Sequence, residues 1–130
     1  MSKAAHAKRR IAVVDDDSLS LETVKAALEH AGFAVTAVDD GRVALERIRE
    51  CKPALVLLDL YMPDADGREI ARALKADPNT AAIPIIVFSG SNEPVDVVTG
   101  LDAGALEYLA KPVDGELLVK KIKSVLKLDA

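Results

Sequence analysis

Ile11-Ala12-Val13-Val14-Asp15-Asp16-Asp17 is an apolar run closed by three consecutive acids. The pattern returns further along the chain. Ala54-Leu55-Val56-Leu57-Leu58 ends in Asp59, Ile83-Pro84-Ile85-Ile86-Val87-Phe88 ends in Ser89, and Leu106-Glu107-Tyr108-Leu109-Ala110 ends in Lys111. Phe33 to Val38 supplies one more run. Segments of helical period separate the runs, at a spacing too long for hairpins and suited to right-handed crossovers. The chain reads as an α/β protein with a doubly wound, five-stranded parallel sheet flanked by five helices.

The helices have readable limits. The first opens at Ser18, an N-cap type of residue, turns Leu21, Val24, Ala27 and Leu28 to one face, and stops at Gly32. After Asp39-Asp40-Gly41 a second carries Val43, Ala44, Leu45 and Ile48 inward, and Pro53 separates it from the next strand. A third, from about Gly67 to Lys75, buries Ile70, Ala71 and Leu74. The fourth, Pro94 to Ala103, is weak because Gly100 costs about 1 kcal/mol relative to Ala, and it should be the most mobile helix. The last, Asp114 to about Lys127, buries Leu117, Leu118, Ile122, Val125 and Leu126.

The 130 residues allow one domain, assigned to residues 9–128 behind a flexible basic tail at 1–8. With 50% hydrophobic but only 3% aromatic residues, its core is built of Val, Leu, Ile and Ala. A formal charge of -4 opposes the basic footprint that nucleic acid requires, so no direct DNA binding is expected. No segment has the length of a signal peptide core or a membrane span. Cys51 is the single cysteine, which excludes an internal disulfide and suits a reducing cytoplasm.

In open parallel sheets, ligands bind beyond the carboxyl ends of the strands. Acids, a further carboxylate, a hydroxyl and an ammonium converge there. Magnesium takes oxygen ligands, usually one or two carboxylates with water and phosphate oxygens, so Asp15 or Asp16 with Asp59 suffices to hold it. A carboxylate also attacks phosphorus to form an acyl phosphate, and Asp59 stands at its strand end as the candidate nucleophile. Negative charge spreads over a phosphoryl group in transfer. Lys111 supplies a cation to meet it and Ser89 a donor.

Val13-Val14-Asp15-Asp16-Asp17, Leu58-Asp59-Leu60-Tyr61-Met62-Pro63-Asp64-Ala65-Asp66-Gly67, Phe88-Ser89-Gly90, Gly104-Ala105 and Tyr108-Leu109-Ala110-Lys111-Pro112 occur in one order. Together they resemble a response-regulator receiver domain of the CheY-like type, the phosphoacceptor half of two-component signalling. The resemblance covers about Arg9 to Lys127. It implies a strand order of 2-1-3-4-5, phosphorylation of Asp59, and Mg2+ (or Mn2+) held by Asp15, Asp16, Asp59 and the backbone carbonyl of Tyr61. Asp17 falls outside the set. Ser89 and Tyr108 take the switch positions, Lys111 contacts the phosphoryl group, and a cis peptide before Pro112 aims that lysine inward. Tyr61 and Ser91 occupy the places that tune the lifetime of the phosphorylated state, where a bulky Tyr61 shields the phosphoryl group.

Other chemistries fit less well. Asp64-Ala65-Asp66-Gly67 lacks the first and last ligands of a calcium loop, because Met62 and Ala73 stand in those places. A phosphatase of the haloacid dehalogenase type wants an Asp-x-Asp pair followed by Gly and Thr or Val, and Asp15-Asp16-Asp17-Ser18-Leu19 does not supply it. The expectation is a complete, stand-alone receiver that is not a turnover enzyme. It takes its phosphoryl group from a sensor histidine kinase or a histidine phosphotransfer protein. It signals through a face made by the fourth helix, fifth strand and fifth helix, to a protein target or to a second copy in a phosphorylation-dependent dimer. The alternative is a receiver-like docking module that acts without phosphorylation.

Overall fold

The apolar runs become β1 (Arg10–Val14), β2 (Ala34–Val38), β3 (Leu55–Asp59), β4 (Ile85–Ser89) and β5 (Glu107–Ala110). A computed structural model describes residues 8–90 and 94–128. The basic tail assigned to residues 1–8 therefore lies outside the described residues but for its last member. The strands form one parallel sheet in the order β2-β1-β3-β4-β5, the order expected. Helices α1 (Ser18–His30), α2 (Ala44–Cys51), α3 (Gly67–Ala76), α4 (Pro94–Asp102) and α5 (Gly115–Leu126) make the crossovers and close the chain.

Successive side chains of a strand point to opposite faces, so each run feeds two cores. Ala12, Val14, Val56, Leu58, Ile85 and Val87 pack with Ala44 and Ile48 of α2 and with Ile70, Ala71 and Leu74 of α3. Ile11, Val13, Leu55, Leu57, Ile86 and Phe88 pack with Leu21, Val24 and Leu28 of α1 and with Leu118 and Ile122 of α5. Every residue of β3 and β4 is buried, which explains why those runs lack polar alternation. Each fully buried Leu or Ile contributes roughly 1.5–3 kcal/mol, so these central strands anchor whatever stands at their ends.

Several boundaries differ from the sequence reading, each for a local reason. Ser18 is the first helical residue of α1, and the cap is Asp17, whose carboxylate accepts from the Leu19 N–H. Phe33 precedes β2 and packs its buried ring beneath α1. Pro84 has no N–H for the ladder, and β4 begins after it, although the Pro84 carbonyl still accepts from Val56. Val43 is exposed because residues 41–43 form a 3-10 turn capped by Asp40, which rotates that side chain away from the sheet. Leu117, placed inward by the helical pattern, is also exposed. A small antiparallel pair, Tyr61–Met62 with Ala65–Asp66, follows β3 and was not anticipated.

Two close approaches explain glycines near the site. A Cβ on Gly67 would lie 2.3 Å from the Asp59 carbonyl oxygen and 2.7 Å from that of Leu60, so only glycine lets α3 start against the end of β3. At Gly100, a Cβ would lie 2.9 Å from Val87 and 3.4 Å from the Tyr108 ring. The residue that weakens α4 is thus the one that lets it approach β4 and β5.

Candidate functional site

The carboxyl ends of β1, β3, β4 and β5 lie side by side because the ladders run in register. Val14 pairs with Leu58, Asp59 with Phe88, and Ser89 with Ala110. Asp15, Asp59, Ser89 and Lys111 come together as the next or last residue of each strand. The Lys111 N–H donates to the Ser89 carbonyl at 2.7 Å, and the Asp15 N–H to that of Val38 at 3.0 Å. The Lys111–Pro112 peptide is cis, as expected.

Asp15 and Asp59 are almost fully buried, at 0% and 4% exposure. The Lys111 ammonium stands between them, 2.9 Å from Asp15 Oδ2 and 3.3 Å from Asp59 Oδ2. It also sits 5.0 Å from the centroid of the Phe88 ring, whose face favours a cation. Burial pulls the lysine down, but Asp15 and Asp59 outweigh burial and raise it above its ordinary value. Lys111 is a fixed positive charge.

The two carboxylates behave differently. Burial pushes Asp59 up to about 6, the neighbouring Asp15 adds to this, and Lys111 opposes it. Asp15 is pushed up by burial as well, yet the Asp17 N–H, the Ser20 hydroxyl and Lys111 together hold it below the usual carboxylate value. Asp15 Oδ1 accepts from the Asp17 N–H at 3.0 Å, whereas buried Oδ2 has no aligned donor and meets Lys111 only as an ion pair. Asp17 is occupied as the cap of α1, consistent with its exclusion from the ligand set.

One oxygen from each of Asp15, Asp16 and Asp59 lies within 4.8 Å of the others. Asp15 and Asp59 are buried and Asp16 is exposed, so the cluster opens to solvent on one side. Two buried carboxylates share one ammonium, a third carboxylate stands beside them at the rim, and one buried oxygen has no aligned donor. A hard divalent cation with water in its remaining positions fits that donor set.

This end of the sheet has the geometry of the motifs that suggested it, and the chain matches the response regulator receiver domain over residues 11–123. It belongs to that family. The transcriptional regulatory protein CseB of Streptomyces coelicolor is 41% identical over 114 residues, 88% of this chain and 47% of that protein. The DNA-binding response regulator MtrA of Mycobacterium tuberculosis is 38% identical over 120 residues, 92% of this chain and 51% of that protein. The chain thus spans about half the length of these relatives. Among solved structures, a CheY-like receiver domain protein from Methanospirillum hungatei has a TM-score of 0.86 at 30% identity, covering 93% of this chain and 95% of that one. Chemotaxis protein CheY4 of Vibrio cholerae has a TM-score of 0.86 at 28% identity, covering 92% and 99%.

The remaining residues expected in the receiver site take distinct places. Ser89 is buried at the end of β4. Tyr108 is half-buried on β5 and packs against the core shared with α2 and α3. The Tyr61 N–H donates to Asp59 Oδ1 at 3.3 Å, while the residue is 44% exposed. Ser91 lies outside the described residues. Sequence reasoning missed the Ser20 hydroxyl on Asp15 and the Phe88 ring beneath Lys111. Ser20 lies one helical turn past the acids, a spacing that carries no signal until α1 is known to start at Ser18.

Proposed function

We propose that this receiver domain accepts a phosphoryl group on Asp59 from a phosphorylated histidine of a sensor kinase or phosphotransfer protein. The observation that carries the reading is a buried Asp59 carboxylate flanked by a fixed ammonium and two further acids at the mouth of a parallel sheet. A carboxylate oxygen of Asp59 forms the new bond to phosphorus as the phosphorus–nitrogen bond breaks. The electron pair of that bond leaves with the imidazole, which takes up a proton. The product is an acyl phosphate.

Lys111 stands where it neutralises charge on the transferred oxygens, and Ser89 offers its hydroxyl from the neighbouring strand. Asp15, Asp16 and Asp59, with the Tyr61 carbonyl, would hold magnesium or manganese, whose charge would offset that of the phosphoryl group. The chain promotes its own phosphorylation and dephosphorylation and does not turn over a small substrate.

The mark reaches a partner through α4, β5 and α5. Ser89 moving to a phosphoryl oxygen would free space for the Tyr108 ring, which already borders Gly100 of α4. Val98 and Leu101 on α4 and Leu117 on α5 are exposed apolar residues on those elements, a surface for a protein target or a second copy. The acidic balance of the chain assigns no DNA contact to it. No helix among the described residues is long and apolar enough to cross a membrane, and a cytoplasmic place follows from the proposed donor.

Phosphoramidate, whose phosphorus–nitrogen bond resembles that of phospho-histidine, is the donor for the test. Intact mass should show one added phosphoryl group on the wild type in magnesium and none on Asp59→Asn. A folded wild type that gains nothing would overturn the reading and favour a docking module.

A further inference from the structure

The Tyr61 hydroxyl donates a hydrogen bond to the carboxylate of Asp96, in the first turn of α4. On its other side the Tyr61 ring faces the Arg68 guanidinium of α3, 5.9 Å from the ring centroid. Arg68 is itself locked to Asp66, with contacts of 2.9 and 2.6 Å to the two carboxylate oxygens. The ring is therefore held at its hydroxyl and over one face, although the residue is substantially exposed.

Its position matters because of the strand order. Tyr61 follows β3, and α4 follows β4, the neighbour of β3 in the sheet. The phenol joins the segment that follows Asp59 to the helix that follows β4. At its other end, the Tyr61 backbone N–H reaches Asp59 Oδ1. One residue thus ties the acceptor carboxylate to the helix that begins the signalling face.

We infer that Asp96 is a positioning residue that latches the Tyr61 ring across the mouth of the site and so sets the lifetime of the phosphorylated state. The inference rests on the phosphoacceptor reading above. The step it restrains is hydrolysis. Water oxygen bonds to phosphorus as the bond to the Asp59 oxygen breaks, the carboxylate is regained, and both protons of the water leave with the product as dihydrogen phosphate, which equilibrates with solvent. A ring latched to Asp96 narrows the approach of that water; a ring released from it swings into solvent.

Asp96 is also an acid near the positive end of α4, a purely structural role. Tyr61→Phe removes the latch and leaves that role intact, and Asp96→Glu keeps both the charge and an acceptor. The experiment follows decay of the phosphorylated wild type, Tyr61→Phe, Asp96→Ala, Asp96→Glu and the Tyr61→Phe/Asp96→Ala double variant by intact mass. Tyr61→Phe and Asp96→Ala should each shorten the lifetime by roughly threefold to tenfold, the double variant no further, and Asp96→Glu should stay near the wild type.

A spectroscopic readout accompanies the decay. The chain has two tyrosines, so tyrosine labelled with carbon-13 at Cζ alone gives two signals, assigned with Tyr108→Phe. Asp96→Ala should shift the Tyr61 signal. A wild type that gains no mass overturns the phosphoacceptor reading and this inference with it. A wild type that gains mass, with Tyr61→Phe or Asp96→Ala decaying at the wild-type rate, overturns the inference alone, as does a Tyr61 signal unmoved by Asp96→Ala.

Discussion

Each end of the sheet holds a half-buried lysine, and the two lysines face opposite kinds of partner. At the carboxyl end Lys111 meets two buried carboxylates, Asp15 and Asp59. At the amino end Lys75, on the last turn of α3, donates to the carbonyls of Ala81 and Ile83 at 3.0 and 2.8 Å. Beside it the buried Thr80 hydroxyl donates to the Leu74 carbonyl at 2.6 Å. Burial lowers Lys75, whereas the acids raise Lys111. Neutral acceptors finish the amino end as structure, and nothing further is called for there. The carboxyl end keeps more negative charge than its lysine answers, a surplus that a divalent cation would offset.

Backbone contacts should set the two ends of the sheet furthest apart. Gly67→Ala places a Cβ against the carbonyls of Asp59 and Leu60 and should cost about 3 kcal/mol, with loss of phosphorylation. At the amino end Gly104→Ala meets the flexible side chain of Lys75 and a φ of +114°, and should cost only about 1–2 kcal/mol with phosphorylation retained. Urea unfolding and intact mass decide both. Equal losses of phosphorylation would remove the distinction between the ends.

Exchanging each lysine is the next test. Lys111→Met leaves Asp15 and Asp59 without a counter-charge and should destabilise by about 2–3 kcal/mol above pH 6, a loss that divalent cation partly restores. Lys75→Met gives up hydrogen bonds to neutral carbonyls and should cost about 1 kcal/mol, with little response to cation.

Asp59 makes the carboxyl end respond to pH. Its folded value of about 6 stands above the ordinary 3.8, so between those values the folded protein keeps a proton that the unfolded chain has released. The stability this brings is complete at low pH and is lost as pH rises through about 6. Asp59→Asn should therefore stabilise the metal-free protein by on the order of 1–2 kcal/mol above that range, and the gain should shrink as pH falls towards the ordinary carboxylate value. Urea unfolding across that range measures it.

The smallest effect belongs at the amino end, far from the acids. Lys52 ends α2 in the left-handed region, with φ of 47°, where glycine carries no Cβ penalty. Lys52→Gly should raise stability by about 0.5 kcal/mol and leave phosphorylation unchanged.

The strands and the acids at their ends were legible because both are written locally, whereas the strand order came with the resemblance to receiver domains. A fully buried strand is an uninterrupted apolar run, and the residue that ends it is the residue at the site. Val43 and Leu117 were misplaced because their faces depend on a 3-10 turn and on what covers α5, neither of which a helical period encodes. Gly100 read as a weakness until Val87 and Tyr108 were seen to fill its place. The Tyr61 to Asp96 bond spans 35 residues and joins an exposed residue to a half-buried one in the first turn of α4, so no pattern in either segment announces it. Lys75 looked like any basic residue at a helix end; only the chain returning into β4 turns it into a clamp.

Thermal unfolding of the unphosphorylated protein, with and without magnesium and above the Asp59 value of about 6, tests the charge surplus most directly. Magnesium should raise the midpoint of the wild type by several degrees and shift Asp15→Asn and Asp59→Asn much less, while Lys75→Met should respond as the wild type does. A wild-type midpoint indifferent to magnesium, or a shift equally large in the Asp15 and Asp59 variants, would contradict the view that the carboxyl end is built around a missing positive charge.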